Sequence, residues 1–300
     1  MRICLFALCI LLQASCATTR RAERHFYKSL KSNVETSPVF ATAYTGFNLV
    51  DAATGRTLCA VNADRYFTPA STTKILTLAT CLKVLGDSIP GVQRIKLRNF
   101  PLTYIRGTGD PTFLNPYFNA WQSIYKLIES DTARLNYRGM VDPRLGPGWA
   151  WDDAAESYSA ERSQFPMYGG LIRITAVTED SLTIHPDIFD HALREFSEPY
   201  HETLVSDPCF TPKFVPLKKP YSVGTEYTFP IPYATIMAPS MLTDTIIHQD
   251  DYVIGTYGDD GYGHFDAERE GYKWQTFYSC PVDTVYRRMM YESDNFVAEQ

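Results

Sequence analysis

The order of apolar and polar positions early in the chain predicts a β-hairpin followed by a helix. Residues 41–50 and 57–61 alternate apolar with polar side chains, and the turn-forming segment 51–55 separates them, which is the pattern of two antiparallel strands. Apolar side chains then recur at helical spacing over residues 72–85, and a glycine follows, which indicates an amphipathic helix and its end. Ser71 therefore lies at the first turn of a predicted helix.

The rest of the chain predicts a mixed α/β fold with a strand-rich middle. Helices are predicted over residues 21–33 and 115–130, and strand-like pieces over 170–185 and 223–237. A last amphipathic helix is predicted over residues 282–290. We find no repeat of about 20 to 50 residues, so a solenoid or a propeller is disfavoured.

The N-terminus has the composition of an export signal. One arginine precedes an apolar run at residues 3–12, and small side chains follow at 14–17, so residues 1–17 are interpreted as a signal peptide. Cleavage after Ala17, and cleavage before Cys16 with a lipid anchor on that thiol, both remain open. The apolar run is too short to span a bilayer as a helix, and we expect an exported protein of the periplasm or cell envelope.

Charge limits the partners that the chain can bind. The 300 residues carry 28 basic and 34 acidic side chains, a formal net charge of −6. A nucleic-acid partner depends on a positive field, which this composition does not supply. We therefore expect no nucleic-acid partner.

Cysteine and histidine spacing argues against a metal or redox site. The chain has no C-x-x-C pair and no H-E-x-x-H motif, so zinc, thioredoxin-like and metallopeptidase sites are disfavoured, and no cofactor is expected. Disulfides and buried free thiols both remain open for the cysteines that follow the predicted signal. These are Cys59, Cys81, Cys209 and Cys280.

The strongest candidate chemistry is the pair Ser71 and Lys74. A spacing of three residues on a helix places the hydroxyl and the amine on one face within mutual reach. A serine hydroxyl becomes a nucleophile when a base takes its proton, and a lysine whose pKa is lowered by burial can be that base. The same spacing occurs at Ser123 and Lys126, where nothing in the context exposes the serine.

A second motif, Ser293-Asp294-Asn295, lies 222 residues after Ser71. Taken alone it is a helix cap or a turn. Together with S-x-x-K, however, S-D-N belongs to the motif set of penicillin-binding proteins and class A β-lactamases. A Y-x-N pattern at Tyr117 carries little weight, because it falls at the start of a predicted helix.

With these residues the sequence resembles the D-alanyl-D-alanine carboxypeptidases of the low-molecular-weight penicillin-binding proteins that carry a large insert, the S13 peptidase type. The resemblance rests on five segments: 62–65, 69–74, 106–112, 148–153 and 293–299. It implies an α/β serine β-lactamase/transpeptidase-like domain that acts on peptidoglycan stem peptides and is acylated by β-lactams.

The resemblance also implies a role for each site residue. Ser71 would be the acylated nucleophile and Lys74 its base. Ser293 would relay a proton toward the leaving group, and Asn295 would position the peptide bond of the substrate. Asp142 would hold the amine of the stem-peptide side chain, with a solvated loop aspartate as the alternative interpretation.

The resemblance further implies a divided domain. Residues 22–86 and 279–300 would form two parts of the transpeptidase-like domain, and residues 87–278 would form a β-rich insert between them. Carboxypeptidase and endopeptidase activity on stem peptides both fit this organisation.

One family motif is missing. No K-T-G, K-S-G or H-T-G triplet occurs in the 300 residues, and we expect the chain to be truncated before that motif and inactive by itself. The alternative is a catalytically inactive cell-wall-binding or envelope structural protein on the same scaffold.

Overall fold

The computed structural model describes residues 21–98, 103–129, 133–135, 145–190, 219–232, 234–246 and 271–300. The predicted signal peptide with Cys16, the predicted amine-binding Asp142, and Cys209 lie outside these ranges. The described chain divides into two units, one up to Ala70 and one from Ser71 onward. No helix among the described residues has the length and apolar character needed to cross a membrane.

The first unit contains a helix and the predicted hairpin. Residues 21–36 are helical (α1), and β1 (Phe47–Val50) pairs antiparallel with β2 (Thr57–Val61). The carboxylate of Asp51 accepts hydrogen bonds from the next turn residues, Ala53 N at 2.9 Å and Thr54 N at 3.0 Å, as in an Asx turn. The hairpin is confirmed, but its first strand begins six residues later than the predicted 41, because turns occupy the preceding segment.

The second unit begins with the predicted helix. A 3-10 turn at Ser71–Thr73 leads directly into α2 (Lys74–Val84). Lys74 is the buried residue of α2, whereas many of its apolar side chains are exposed. A narrow stripe, Leu78 and Cys81, packs against the core beneath.

A four-stranded sheet follows, with the strand order β5 (Ala133–Leu135), β4 (Thr103–Gly107), β3 (Ser88–Lys96) and β9 (Gln275–Pro281). Strand β3 is central and pairs antiparallel with β4 on one side and with β9 on the other. The short β5 adds to β4 in parallel. Strand β9 thus joins a distant part of the chain to the segment that follows α2.

A three-stranded antiparallel sheet has β6 (Leu171–Ala176) between β7 (Leu182–His185) and β8 (Glu226–Pro230). Helices α3 (Ser123–Glu129) and α4 (Ala234–Ile246) contribute side chains to the core shared with this sheet. Its fully buried members include Ile172, Ile174, Phe189, Met241 and Leu242.

Two predicted elements were partly wrong. The predicted strand over 223–237 ends at Pro230, and the apolar residues after it form α4, because Ala238, Met241 and Leu242 pack into the core at helical spacing. The predicted helix over 115–130 divides into a 3-10 turn at Pro116–Phe118 and the separate α3.

The last helices pack on α2. Helix α5 (Val282–Tyr291) starts at the residue after β9 ends, and it buries Val285 and Met289 in one cluster with Phe296 and Val297. The latter two belong to α6 (Asn295–Glu299). Since Leu78 and Cys81 of α2 pack against the same cluster, a shared core brings the two sequence motifs together.

Candidate active site

The two residues of the first motif meet as their spacing predicts. Nζ of Lys74 lies 3.4 Å from Oγ of Ser71. The serine is exposed, whereas Lys74 is only 7% exposed. A substrate can therefore reach the hydroxyl while the amine stays shielded from solvent.

The second motif completes the contact. Nζ of Lys74 donates a short hydrogen bond to Oδ1 of Asn295, and Nδ2 of Asn295 donates to the backbone carbonyl of Tyr158 at 3.3 Å. The amide of Asn295 is thus held on both sides, which fixes its orientation against the lysine.

Burial changes the acid–base behaviour of Lys74. Removing the amine from water lowers its pKa, and the carboxylates of Asp294 and Glu299 partly oppose this shift by favouring the charged form. A lysine with a lowered pKa supplies more of the neutral amine that can accept a proton from a hydroxyl.

The turn that carries Ser293 has an unusual backbone. Ser293 is exposed and has a left-handed φ of 56°, a conformation that residues other than glycine rarely adopt and that persists where neighbours enforce it. Asp294 follows as the N-cap of α6, and its Oδ1 accepts from Val297 N at 3.0 Å. Its Oδ2 accepts from Nε of Arg288 at 2.9 Å.

An aromatic pair lies beside Asn295. The rings of Trp149 and Tyr158 stack with centroids 6.2 Å apart, and Nε1 of Trp149 donates to Oε1 of Glu299 at 3.4 Å. The hydroxyl of Tyr158 donates to Asp153 at 2.9 Å, and this bond raises the pKa of the phenol.

The sequence interpretation missed several of these neighbours. Tyr158 and Glu299 contact the site through tertiary packing, and Arg288 reaches it from another helix. The segments 148–153 and 293–299 resemble the family, and that resemblance is the signal in the sequence for Trp149 and Glu299.

The remaining sequence candidates have separate outcomes. Ser71, Lys74 and Asn295 come together, and Ser293 lies in the adjoining turn. Asp142 lies outside the described residues. The second serine–lysine pair, Ser123 and Lys126, is exposed on α3, so the expectation that nothing exposes Ser123 is wrong. Oγ of Ser123 donates to the carbonyl of Tyr278 at 3.4 Å. Within the described ranges, no group of three or more histidine, cysteine or carboxylate side chains is arranged to hold a metal ion.

Comparison with known proteins supports the resemblance. A D-alanyl-D-alanine carboxypeptidase from Actinomadura sp. (strain R39) is 29% identical over 161 residues, which is 49% of this chain and 29% of that protein. The crystal structure of penicillin binding protein 4 (dacB) from Haemophilus influenzae matches with a TM-score of 0.57 at 13% identity, over 84% of this chain and 60% of that one. The chain therefore spans less than two thirds of the length of either relative, and the structural match shows a shared fold of the penicillin-binding type.

A sequence model of the D-Ala-D-Ala carboxypeptidase 3 (S13) family matches residues 27–188. This range is more than half of the chain and contains both Ser71 and Lys74, although it ends before Asn295. The chain therefore belongs to the D-Ala-D-Ala carboxypeptidase 3 (S13) family.

Proposed function

We propose that the protein is a serine-type D-alanyl-D-alanine carboxypeptidase or endopeptidase that acts on peptidoglycan stem peptides through an acyl-enzyme. The observation that carries this proposal is the position of the buried Lys74 amine between the exposed hydroxyl of Ser71 and the amide of Asn295. This arrangement supports the proposed roles of Ser71 as nucleophile, Lys74 as base and Asn295 as substrate-positioning group.

The first step is the activation of Ser71. The neutral amine of Lys74 accepts the hydroxyl proton as Oγ attacks the carbonyl carbon between the two terminal D-alanines. The amine keeps its position during this transfer because Oδ1 of Asn295 accepts a hydrogen bond from one of its N–H groups. The product is a tetrahedral oxyanion covalently bound to Ser71.

The second step expels the terminal D-alanine. The C–N bond breaks, and the leaving amine takes up a proton, which Ser293 relays from the protonated Lys74. Water then hydrolyses the ester and frees Ser71. Asn295 uses one Nδ2 hydrogen on Tyr158, so its second hydrogen can donate to a carbonyl of the substrate.

A cationic group on the substrate needs an acidic partner. We keep Asp142 as the proposed partner of the stem-peptide amine. A second candidate is Asp152, because it is exposed and its charge, with those of Asp153 and Glu156, acts on Tyr158 beside Asn295.

The missing third motif limits what these 300 residues can do alone. In related enzymes a K-T-G strand binds the substrate carboxylate and supplies an oxyanion donor, and losing one such donor costs about a hundred- to a thousandfold in rate. We therefore propose that the 300 residues by themselves release D-alanine very slowly. The second candidate function is a catalytically inactive cell-wall-binding or envelope structural protein on the same scaffold.

The proposed substrate places the protein outside the cytoplasmic membrane. The predicted signal at residues 1–17 supports export to the periplasm or cell envelope. Cleavage before Cys16 would add a lipid anchor, and cleavage after Ala17 would not. The intact mass of the protein purified from its host distinguishes these products, and a mature chain that retains Met1 would contradict export.

The test of the proposed chemistry is covalent labelling. The protein purified from its host is incubated with a fluorescent penicillin and then mapped by peptide mass spectrometry. We expect the adduct on Ser71, no label in Ser71→Ala, and a loss of several orders of magnitude in labelling rate in Lys74→Ala.

The second serine–lysine pair supplies the matched controls. Ser123→Ala and Lys126→Ala should label at the rate of the unmodified protein. Label on Ser123, label that survives Ser71→Ala, or no label on the unmodified protein would overturn the proposed acylation.

A further inference from the structure

We propose that Arg288 is a positioning residue for the candidate site, and that its guanidinium holds the Ser293-Asp294-Asn295 turn in place with the ring of Tyr117 as its support. The proposal rests on the proposed function, since it concerns the same site. It adds Arg288 and Tyr117, which lie outside the S-x-x-K and S-D-N motifs.

The guanidinium of Arg288 makes two contacts in different directions. Its Nε donates to Oδ2 of Asp294 at 2.9 Å, and both side chains are largely buried, with exposures of 22% and 14%. Its Cζ lies 3.5 Å from the centroid of the Tyr117 ring, well within the range of a cation–π contact. A planar group held between a carboxylate and a ring is fixed in orientation as well as in position.

The carboxylate of Asp294 uses its two oxygens for different purposes. Oδ1 caps α6 by accepting from Val297 N, and Oδ2 accepts from Arg288 on α5. Asn295 is the first residue of α6. The ion pair therefore fixes the first turn of the helix that presents Asn295 to Lys74.

The left-handed backbone of Ser293 depends on contacts such as the Arg288–Asp294 ion pair. A serine with a φ of 56° returns to a more common conformation unless its neighbours prevent it. The residue that follows it is tied to two helices, which restrains the turn from one side. Without Arg288, the carboxylate of Asp294 keeps its cap on α6 and loses its hydrogen bond to α5.

Arg288 also pairs with a carboxylate that acts on Lys74. Two carboxylates favour the charged form of Lys74, Asp294 at the turn and Glu299 on α6. The neutral groups Ser71 and Asn295 contact the amine directly. Arg288, from α5, pairs with the carboxylate of Asp294, and a positive charge at that position opposes the effect of Asp294 on the amine.

Other charged groups lie around this pair. On α5 itself, Asp283 and Arg287 are exposed, and on the segment that contributes the Tyr158 carbonyl, Glu156 is exposed. A second guanidinium, that of Arg173, lies 5.8 Å from the Tyr117 ring. Of the charged residues on α5, Arg288 is joined to the S-D-N turn by its hydrogen bond to Asp294.

The principal test measures Lys74 without requiring catalysis. Brief acetic anhydride pulses at a series of pH values, followed by peptide mapping, give the pKa of the Lys74 amine in the full-length protein. We expect a higher pKa in Arg288→Gln than in the unmodified protein, because Asp294 stays capped on α6 and loses its compensating charge. Arg287→Gln removes the same charge from an exposed position of the same helix and should leave the Lys74 pKa unchanged.

A conservative variant separates charge from geometry. Arg288→Lys keeps the positive charge but loses the planar group that both pairs with Asp294 and stacks on Tyr117. We expect it to restore the Lys74 pKa while the rate of Ser71 acylation by penicillin stays about tenfold or more below that of the unmodified protein. A merely structural role would lower the stability of both variants and leave the Lys74 pKa unmoved.

Further outcomes keep the proposal falsifiable. If Arg288→Gln does not fold, Tyr117→Leu removes only the support of the guanidinium, and it should slow acylation in the same direction by a smaller factor. An unchanged Lys74 pKa in Arg288→Gln, or an equal shift in Arg287→Gln, would overturn the proposal. If the unmodified protein takes up no penicillin, the proposed acylation fails, whereas the Lys74 titration still decides whether Arg288 acts on the site.

Discussion

The amine of Lys74 donates to the side-chain amide of Asn295, although 221 residues separate them along the chain. Strand β9 and helix α5 make this contact possible, because β9 pairs with the strand that follows α2 and α5 then packs beside α2. The large segment between the two motifs starts and ends near the site, because the strand that follows α2, β3, pairs with β9.

The pH dependence of acylation should respond to Glu299. Its carboxylate favours the charged form of Lys74, so Glu299→Gln should lower the Lys74 pKa further. Because the neutral amine is the proposed base, the acid limb of the acylation profile should move to lower pH. The profile is measured as the rate of penicillin labelling against pH.

The control for this profile is Glu292→Gln, which removes an exposed carboxylate next to the S-D-N turn. It should leave the limb where it is. A limb that moves to higher pH in Glu299→Gln would contradict the assignment of Lys74 as the base.

The partner of the substrate amine can be identified by comparing two aspartates. If Asp142 holds the amine, Asp142→Asn should slow the turnover of a stem peptide with a free side-chain amine more than that of its acetylated analogue. One lost charge-assisted hydrogen bond is worth about 1.5 to 3 kcal/mol, roughly a ten- to hundredfold effect.

The same comparison in Asp152→Asn tests the second candidate. A selective loss in Asp152→Asn alone would move the assignment to the acidic surface beside Tyr158. Equal losses on both peptides in both variants would show that neither aspartate binds the amine.

The buried carboxyl of Asp110 should make stability depend on pH. Asp110 is 3% exposed, and burial raises its pKa, although the hydrogen bond from Thr112 N at 2.9 Å partly opposes this. The folded state therefore binds the proton more tightly than the unfolded chain. This contribution is fully present below the unfolded pKa of 3.8 and is lost as pH rises through the higher folded value.

The Asp110→Asn variant removes this dependence. Urea unfolding at a series of pH values should show the stability of the unmodified protein falling, relative to the variant, as pH rises from below 3.8. Each unit of pKa displacement is worth about 1.4 kcal/mol. A difference in the free energy of unfolding that stays constant with pH would disprove the link between Asp110 ionisation and stability. Asp64→Asn, at an exposed aspartate, is the control.

The thiol of Cys280 should resist alkylation in the folded protein. Burial raises its pKa to about 11, with a smaller contribution from the Asp110 charge, and the residue is 1% exposed. Thiolates react and thiols do not, so iodoacetamide at pH 8 should modify the partly exposed Cys81 well before Cys280. Peptide mapping before and after unfolding in urea would show this order, and equal labelling in the folded state would contradict it.

The sequence predicted the elements whose periodicity is local. The hairpin of β1 and β2 and the helix α2 have regular spacing and clear turn residues. The contact between Ser71 and Lys74 follows from the helical spacing. The sequence left open whether the cysteines form disulfides or are buried free thiols. In the structure, Cys59, Cys81 and Cys280 are free thiols.

The features that were missed depend on tertiary packing. Helix α4 contains Pro239 and several β-branched residues, a composition that favours a strand. The segment is nevertheless helical, because its apolar side chains pack into the core at helical spacing. Arg288 and Tyr158 reach the site through contacts that no local pattern records. The proposed role of Asp142 and the proposed domain boundaries stay predictions.

The burial of Lys74 has a consequence for how the protein can evolve. Lys74 is the buried residue of α2, whereas the apolar side chains of this helix are largely exposed. The four methylene groups of Lys74 therefore contribute to the packing of the helix. Selection for anchoring that helix and selection for the proposed base therefore act on the same side chain. A lineage that abandoned catalysis would have reason to keep a long unbranched residue here, and Lys74→Met would separate the two demands by retaining the stem without the amine.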